Sequence, residues 1–135
     1  MWVCTQCDRI FKKVNQPHSC KSIPLEQHFK NKDLAKSLFE YLLQKINTQI
    51  GTCKIISIPC CIHLFGNYDF LAILPHKDRL EIRFAAQEDI TCSRITQTVK
   101  LSNKLTKICI DIKNRKEIDD ELLKWLKTSY HLKTI

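Results

Sequence analysis

The sequence predicts an α+β fold: a small N-terminal zinc module, then a helix, about five mostly antiparallel strands and a C-terminal helix. Cysteines and a histidine cluster near the N-terminus at spacings that suit one zinc ion. Apolar residues recur at helical spacing over 33–50 and 115–131. Between these stretches, short β-branched segments lack the helical crossovers that parallel strands need. We therefore predict a zinc module over 1–21 and an α+β domain over 22–135.

The zinc prediction depends on four residues, Cys4, Cys7, His18 and Cys20. Two cysteines two residues apart can wrap one tight turn around a metal, and the returning His-x-Cys pair completes a tetrahedron. So short a segment cannot bury enough apolar surface to fold alone, so the ion would stabilise it, with Phe11 covering one side. A disulfide between Cys4 and Cys7, or a set of unrelated thiols, is the alternative.

The first helix is predicted from Asp33, which suits the N-cap, to the residue before Gly51, which suits the C-terminal end. Its apolar residues recur at steps of three and four and form one stripe, which we interpret as a core face. That stripe comprises Ala35, Leu38, Phe39, Leu42, Leu43, Ile46 and Ile50.

The middle of the chain is predicted to form strands separated by turn residues. Leu80, Ile82 and Phe84 alternate with charged residues, which is the pattern of a half-buried strand. We expect both helices to cover one face of the sheet, leaving Arg79 and Arg83 on the other. The predicted strand segments are 53–58, 60–65, 68–74, 80–84, 95–101 and 107–112.

The last predicted element is a helix from about Arg115 to His131, with Asn114 as its cap. Three consecutive acidic residues, 119–121, lie in its first turns and lysines lie later, as the helix dipole favours. We therefore interpret the acidic residues as helix-end electrostatics and not as a metal site.

The formal net charge is +8, which favours an acidic partner such as nucleic acid or an acidic protein. Basic residues at the tip of the zinc module and on the predicted hairpin of the sheet would contact phosphates. Few aromatic residues accompany them, so sequence-specific reading of bases is not indicated. The candidate residues are Arg9, Lys12, Lys13, Lys77, Arg79 and Arg83.

Three of the 8 cysteines belong to the zinc prediction, and an odd number of thiols remains, mostly in apolar strands. This pattern predicts reduced, buried cysteines in a cytoplasmic protein.

No apolar run approaches the ~20 residues that cross a bilayer, and no signal peptide is visible, so no membrane association is expected.

Several short motifs span nearly the whole chain, at Trp2, Cys4, Cys7, Arg9, Phe11, 15–20, His28, Phe29, 80–84, 117–122 and Tyr130. Together they resemble domain-of-unknown-function family 5655, preceded by a zinc-binding start seen before small bacterial domains. The resemblance implies association with nuclease-type partners. The same zinc start precedes a related family that includes proteins proposed as iron chaperones, which implies an iron-handling role as an alternative.

Enzymatic activity is the least favoured prediction. Cys60 or Cys61 with His63 is the local candidate for a nucleophile and its base, and Cys61 and His63 share a strand face. Carboxylates such as Asp69 and Asp111 are scattered singly, and four protein ligands would close the zinc site to substrate. The sequence therefore predicts a non-enzymatic, zinc-stabilised binding domain that contacts nucleic acid or a nuclease-type partner. A regulatory protein–protein role, or an enzyme using Cys61 and His63, stays an alternative.

Overall fold

The computed structural model describes residues 2–7, 9–18, 20–87 and 90–132. Its helices are α1 (Asp33–Gln49) and α2 (Asp120–Tyr130), with short 3-10 turns at Leu25–Phe29 and Arg115–Glu117. No helix in these ranges has the length and apolarity to span a bilayer. The strands are β1 (Trp2–Val3), β2 (Ile10–Phe11), β3 (Lys54–Ile58), β4 (Cys61–Phe65), β5 (Asp69–Pro75), β6 (Leu80–Ala86), β7 (Ile95–Lys100) and β8 (Thr106–Ile112).

The α+β prediction is confirmed. A two-stranded N-terminal sheet precedes a 6-stranded sheet in the order β3-β4-β5-β6-β8-β7, in which every neighbouring pair is antiparallel. The main sheet has six strands, one for each predicted strand segment, so the predicted total of about five was one too low. The chain runs as a meander through β6, and β8 then inserts between β6 and β7.

The core lies between one face of the sheet and the two helices. Alternate residues of β6, from Leu80 to Ala86, are buried, and α2 contacts β5 and β6 while α1 contacts β6 and α2. Both helices therefore lie on the same face, as predicted. The fully buried side chains of this layer include Leu38, Leu42, Ile46, Ile62, Leu64, Leu71, Ile73, Leu80, Ile82, Ile108, Ile110 and Ile112.

The two ends of α1 differ from the prediction. Lys32 occupies the N-cap position without a capping side chain, and Asp33 is the first helical residue, where its charge still suits the helix dipole. Gly51 follows the helix without a positive φ. Its small size is needed for a different reason, because a Cβ there would lie 2.7 Å from Tyr130 Oη.

Tyr130 packs its ring against both glycines of the chain. A Cβ on Gly66 would lie 2.5 Å from Tyr130 Cε2, much closer than two carbon atoms can approach. The Tyr130 hydroxyl donates a hydrogen bond of 2.8 Å to the Thr52 carbonyl, and its ring meets Phe70 edge-on at 4.9 Å. The end of α2 is therefore fitted against the loops that flank β3 and β4.

We expect Gly66→Ala to lower the free energy of unfolding by about 1–3 kcal/mol, because the added methyl group overpacks the Tyr130 ring. Urea denaturation measures this change. In a Tyr130→Ala background, the same substitution should cost much less, since the clashing ring is absent. If Gly66→Ala lowered the unfolding free energy equally in both backgrounds, contact with the Tyr130 ring would not be the cause.

The cap of α2 is Asp119 and not the predicted Asn114. Asp119 has extended backbone angles and accepts a hydrogen bond from the Leu122 amide at 2.9 Å. Asn114 instead precedes the 3-10 turn and makes no side-chain capping bond. The helix therefore begins at Asp120, five residues after the predicted start at Arg115, because the residue that caps it lies inside the acidic run.

Asp119→Ala is expected to destabilise the fold by about 1 kcal/mol, because the Leu122 amide loses its acceptor. Asn114→Ala is the matched control and should change the unfolding free energy by much less. Thermal or urea unfolding of both variants compares them. A larger loss of unfolding free energy in the Asn114 variant would instead indicate that Asn114 caps the helix.

Candidate metal centre

The N-terminal module is built by a tight hairpin. Trp2 pairs with Phe11 and Val3 with Ile10, and the Cys4 amide donates to the Arg9 carbonyl at 2.9 Å. This bond closes a turn that carries Cys4 and Cys7 on the same side. The two-residue spacing thus produces the predicted geometry, in which both thiols face one point.

The four predicted ligands lie close enough together to bind a metal ion. Their ligand atoms all lie within 4.8 Å of one another. Cys4 Sγ is 3.6 Å from Cys20 Sγ, and His18 Nε2 is 3.4 Å from Cys7 Sγ and 3.3 Å from Cys20 Sγ. Within the described ranges, this is the one group of three or more His, Cys, Asp or Glu side chains with such spacing.

The surroundings of His18 orient its ring for coordination. Nδ1 lies 2.7 Å from the Gln16 carbonyl, which fixes the ring proton on Nδ1 and leaves the Nε2 lone pair facing the thiols. The Phe11 ring lies 4.2 Å from the imidazole and the Trp2 ring 5.9 Å away. Phe11 therefore covers one side of the site, where the sequence analysis expected it.

The thiols of the cluster differ in acidity. Burial raises the pKa of Cys7, but hydrogen bonds from the backbone and side chain of Arg9 outweigh it and bring the pKa to about 6. The bond shared with Cys4, together with burial, raises the pKa of Cys20 to about 11. Without a cation, the crowded sulfurs cannot all ionise, because neighbouring thiolates repel each other. A divalent ion at the centre would remove that conflict.

The module lies against β3, the edge strand of the main sheet. Gln6, Cys7 and Cys20 line a groove together with the backbone segment 55–58. The linker after the ligands joins the sheet edge, since the Ile23 amide donates to the Ser57 carbonyl at 3.1 Å. Two of the four candidate ligands are therefore part of a surface that the sheet helps to form.

The six predicted basic contacts are of two kinds. Lys12, Lys13 and Lys77 are exposed, whereas Arg9 lies over the Phe11 ring at 5.1 Å. The two arginines of the sheet are in ion pairs. Arg79 lies 2.9 Å from Asp78 and 3.3 Å from Asp111, and Arg83 lies 2.7 Å from Glu81.

A second basic feature was missed by the sequence analysis. Lys12, from the ligand-bearing loop, lines a groove with Lys104 of the turn between β7 and β8. The other described side chains of this groove are Gln87, Leu101, Ser102, Asn103 and Leu105, and none of them is acidic. Lys104 is more than eighty residues from the ligand loop, so no local pattern in the sequence links them.

Cys61 and His63 share a face of β4, and the structure adds a third group beside them. Cys61 Sγ lies 3.1 Å from His63 Nε2, and His63 Nδ1 lies 2.7 Å from an Asp69 carboxylate oxygen. This second contact has an ion-pair distance without the alignment of a hydrogen bond. In the sequence, Asp69 is one of the singly scattered carboxylates. Its position beside His63 depends on the bulge that pairs it with Phe65, and no local pattern indicates that bulge.

Comparison with family models, curated proteins and solved structures returned no match. The resemblance to family 5655 therefore stays a prediction. Inferences about function come from the geometry of the chain itself.

A chelator that removes a metal from this cluster is expected to release the N-terminal module and leave the sheet domain folded. The hydrophobic core that joins the helices to the sheet contains none of the described side chains of the module, so the core would not depend on the ion. Amide NMR signals of the module should shift or broaden on chelation, while those of Ile82 and Ile110 keep their positions.

Cys7→Ser should reproduce the spectrum of the chelated protein, because it removes one ligand. Cys53→Ser is the matched control, since this thiol lies outside the cluster with Asn47 Oδ1 at 3.6 Å, and its spectrum should match that of the unmodified chain. Loss of the Ile82 and Ile110 signals on chelation would mean that the module and the sheet fold as one unit.

Proposed function

We propose that the protein is a binding domain, stabilised by a zinc ion that takes no part in chemistry, and that it contacts the phosphates of nucleic acid. The zinc part is supported by the ligand set and by its dimensions. Tetrahedral zinc, with Zn–S near 2.3 Å and Zn–N near 2.0–2.1 Å, has S···S edges of about 3.8 Å and S···N edges of about 3.6 Å. Three of the six edges of the cluster, at 3.6, 3.4 and 3.3 Å, lie within about 0.3 Å of these values, and the other three are at most 4.8 Å.

A structural role follows from the number of ligands. Three thiolates and one imidazole fill all four positions of a tetrahedral zinc ion, so no position remains for water or substrate. Cys4 is buried, and Phe11 and Trp2 lie against the ligand His18. The ion would therefore hold the module together and fix Lys12 and Lys13 in place.

The groove shared by Lys12 and Lys104 carries the nucleic-acid proposal. Two lysines from distant parts of the chain line it together, alongside polar side chains and without a described carboxylate. This arrangement suits a phosphate oxygen between two ammonium groups, with Ser102 and Asn103 as further donors. The net charge of +8 would attract the polyanion over a longer range.

Binding of this kind would not depend on base sequence. Tyr68, Phe70 and Phe84, the rings that flank the basic residues of the β5–β6 hairpin in sequence, are all buried and cannot stack on bases. Arg79 and Arg83, which could make bidentate contacts to guanine, are in ion pairs with neighbouring carboxylates. We therefore expect contacts to the backbone of the nucleic acid. The resemblance to family 5655 would add a nuclease-type partner.

The test is a titration with single- and double-stranded oligonucleotides over a salt series. Affinity should fall as the salt concentration rises, and the Lys12→Ala/Lys104→Ala double variant should bind more weakly. A plot of the logarithm of the binding constant against the logarithm of the salt concentration should have a slope smaller by about two for this variant, or about one per lost phosphate contact. The control is Lys127→Ala, an exposed lysine on α2, which should retain the original slope.

Polyglutamate competition separates a phosphate site from a general preference for anions. Nucleic acid should resist displacement by polyglutamate at equal charge concentration. Binding without salt dependence, or equal loss in the double variant and the Lys127 control, would contradict the phosphate proposal. It would leave the zinc assignment intact, because that assignment depends on the ligand geometry alone.

A further inference from the structure

Two adjacent cysteines lie at the turn between β3 and β4, away from the metal ligands. Cys60 is exposed and Cys61 is only 7% exposed, yet their sulfurs are 3.2 Å apart. Both are free thiols. One of the pair is therefore open to a reagent from solvent, and the other lies directly behind it.

The buried thiol has a base beside it, and a carboxylate lies near the other nitrogen of that base. His63 Nε2 lies 3.1 Å from Cys61 Sγ, within reach of its proton. Asp69 lies 2.7 Å from Nδ1 and so favours the ring proton on that nitrogen, which leaves the Nε2 lone pair toward the sulfur. The same carboxylate would stabilise the imidazolium that forms when Nε2 takes a proton.

We propose that Cys60 and Cys61 form a thiol–disulfide exchange site that reduces a small disulfide, such as glutathione disulfide, and becomes a disulfide between the two neighbouring residues. Cys60 is the attacking thiol, Cys61 is the resolving thiol, and His63 is the base for the resolving step. Asp69 is a positioning residue that acts through His63.

The reaction balances in two steps. Cys60, as its thiolate, attacks one sulfur of the small disulfide, whose S–S bond breaks, and the departing thiolate takes up the proton that Cys60 lost. His63 then accepts the Cys61 proton while Cys61 attacks Cys60 Sγ and breaks the mixed disulfide. The second small thiol leaves with the proton held by His63. The protein loses two hydrogen atoms, that is, two protons and two electrons, and the small disulfide gains them and becomes two thiols.

The division of roles follows from exposure and acidity. Burial, with a further contribution from the neighbouring Cys60, raises the pKa of Cys61 to about 12. Cys61 is therefore a protonated thiol that needs a base before it can attack. A buried, protonated sulfur is poorly suited to attack a substrate from solvent, whereas it already touches the sulfur that it must resolve.

The Cys60–Cys61 disulfide formed in this reaction would be easily reduced again. A disulfide between adjacent residues brings their Cα atoms closer together than is usual for this bond, and such strain makes a disulfide easier to reduce. Strained and exposed disulfides are the labile ones, in contrast to those that stabilise folds. The site therefore suits transient exchange.

Trypsin digestion isolates this cysteine pair for measurement. Cleavage after Lys54 and Lys77 gives a peptide, 55–77, that contains Cys60 and Cys61 and no other cysteine. The full-length protein would be incubated with glutathione disulfide, quenched with N-ethylmaleimide at set times, digested and weighed by mass spectrometry. We expect this peptide to lose two hydrogen atoms and to escape alkylation.

The variants separate the steps. Cys61→Ser should hold glutathione on Cys60 as a stable mixed disulfide, and Cys60→Ser should leave the peptide unmodified. His63→Asn should accumulate the mixed disulfide, with its resolution slowed by about 10²-fold, the lower end of what a general base contributes. The matched control is His76→Asn, since His76 also pairs with a carboxylate, Glu81, at 3.0 Å. This variant should resolve the mixed disulfide as fast as the unmodified chain does.

Three results would overturn the proposal: an alkylatable pair after incubation, a mixed disulfide that persists in the unmodified chain, or equal resolution rates in the His63 and His76 variants. Circular dichroism of each variant tests its fold. Should His63→Asn fail to fold, His63→Gln, which retains a polar side chain without a base, gives the same comparison.

Discussion

Electrostatic crowding at the N-terminus is the constraint that governs the module and the basic surface beside it. Three sulfurs and an imidazole nitrogen lie within 4.8 Å of one another, in a segment whose described side chains add nothing to the main hydrophobic core. Thiolates this close repel one another unless a cation lies between them or protons stay on the sulfurs. The opposite pKa shifts of Cys7 and Cys20 record that conflict. The basic surface beside the ligands would owe its position to the ion.

The chain uses its cysteines in two different environments. Around Cys7, hydrogen bonds from Arg9 favour the thiolate, which is the form that binds metal. Around Cys61, burial favours the thiol, and a base must remove its proton before any reaction. The same side chain therefore suits a closed metal site in one place and an inducible nucleophile in the other. Neither role requires the other.

Local patterns predicted the parts of the structure that depend on local geometry. The ligand spacing from Cys4 to Cys20 and the apolar stripe of α1 could be interpreted without any tertiary information. The cap at Asp119 lies five residues after the predicted Asn114, more than one turn away, because the side chains of both residue types suit an N-cap.

Long-range register accounts for what the sequence could not predict. Asp69 reaches His63 through the β4–β5 pairing and its bulge, and Lys104 reaches Lys12 through the packing of the module on the sheet. Gly66 is small because α2 brings Tyr130 over it. A single sequence contains no signal for such pairs, since their separation along the chain has no fixed period.

X-ray absorption at the zinc edge of the purified protein is the most direct test of the central claim. Closed coordination predicts one zinc per chain with three sulfur neighbours at about 2.3 Å and one nitrogen at about 2.0 Å. The spectrum should not change when small anions are added, because no position is free to exchange. A first-shell oxygen, fewer sulfur neighbours or absence of zinc would contradict the account of a passive ion that fixes the module in place.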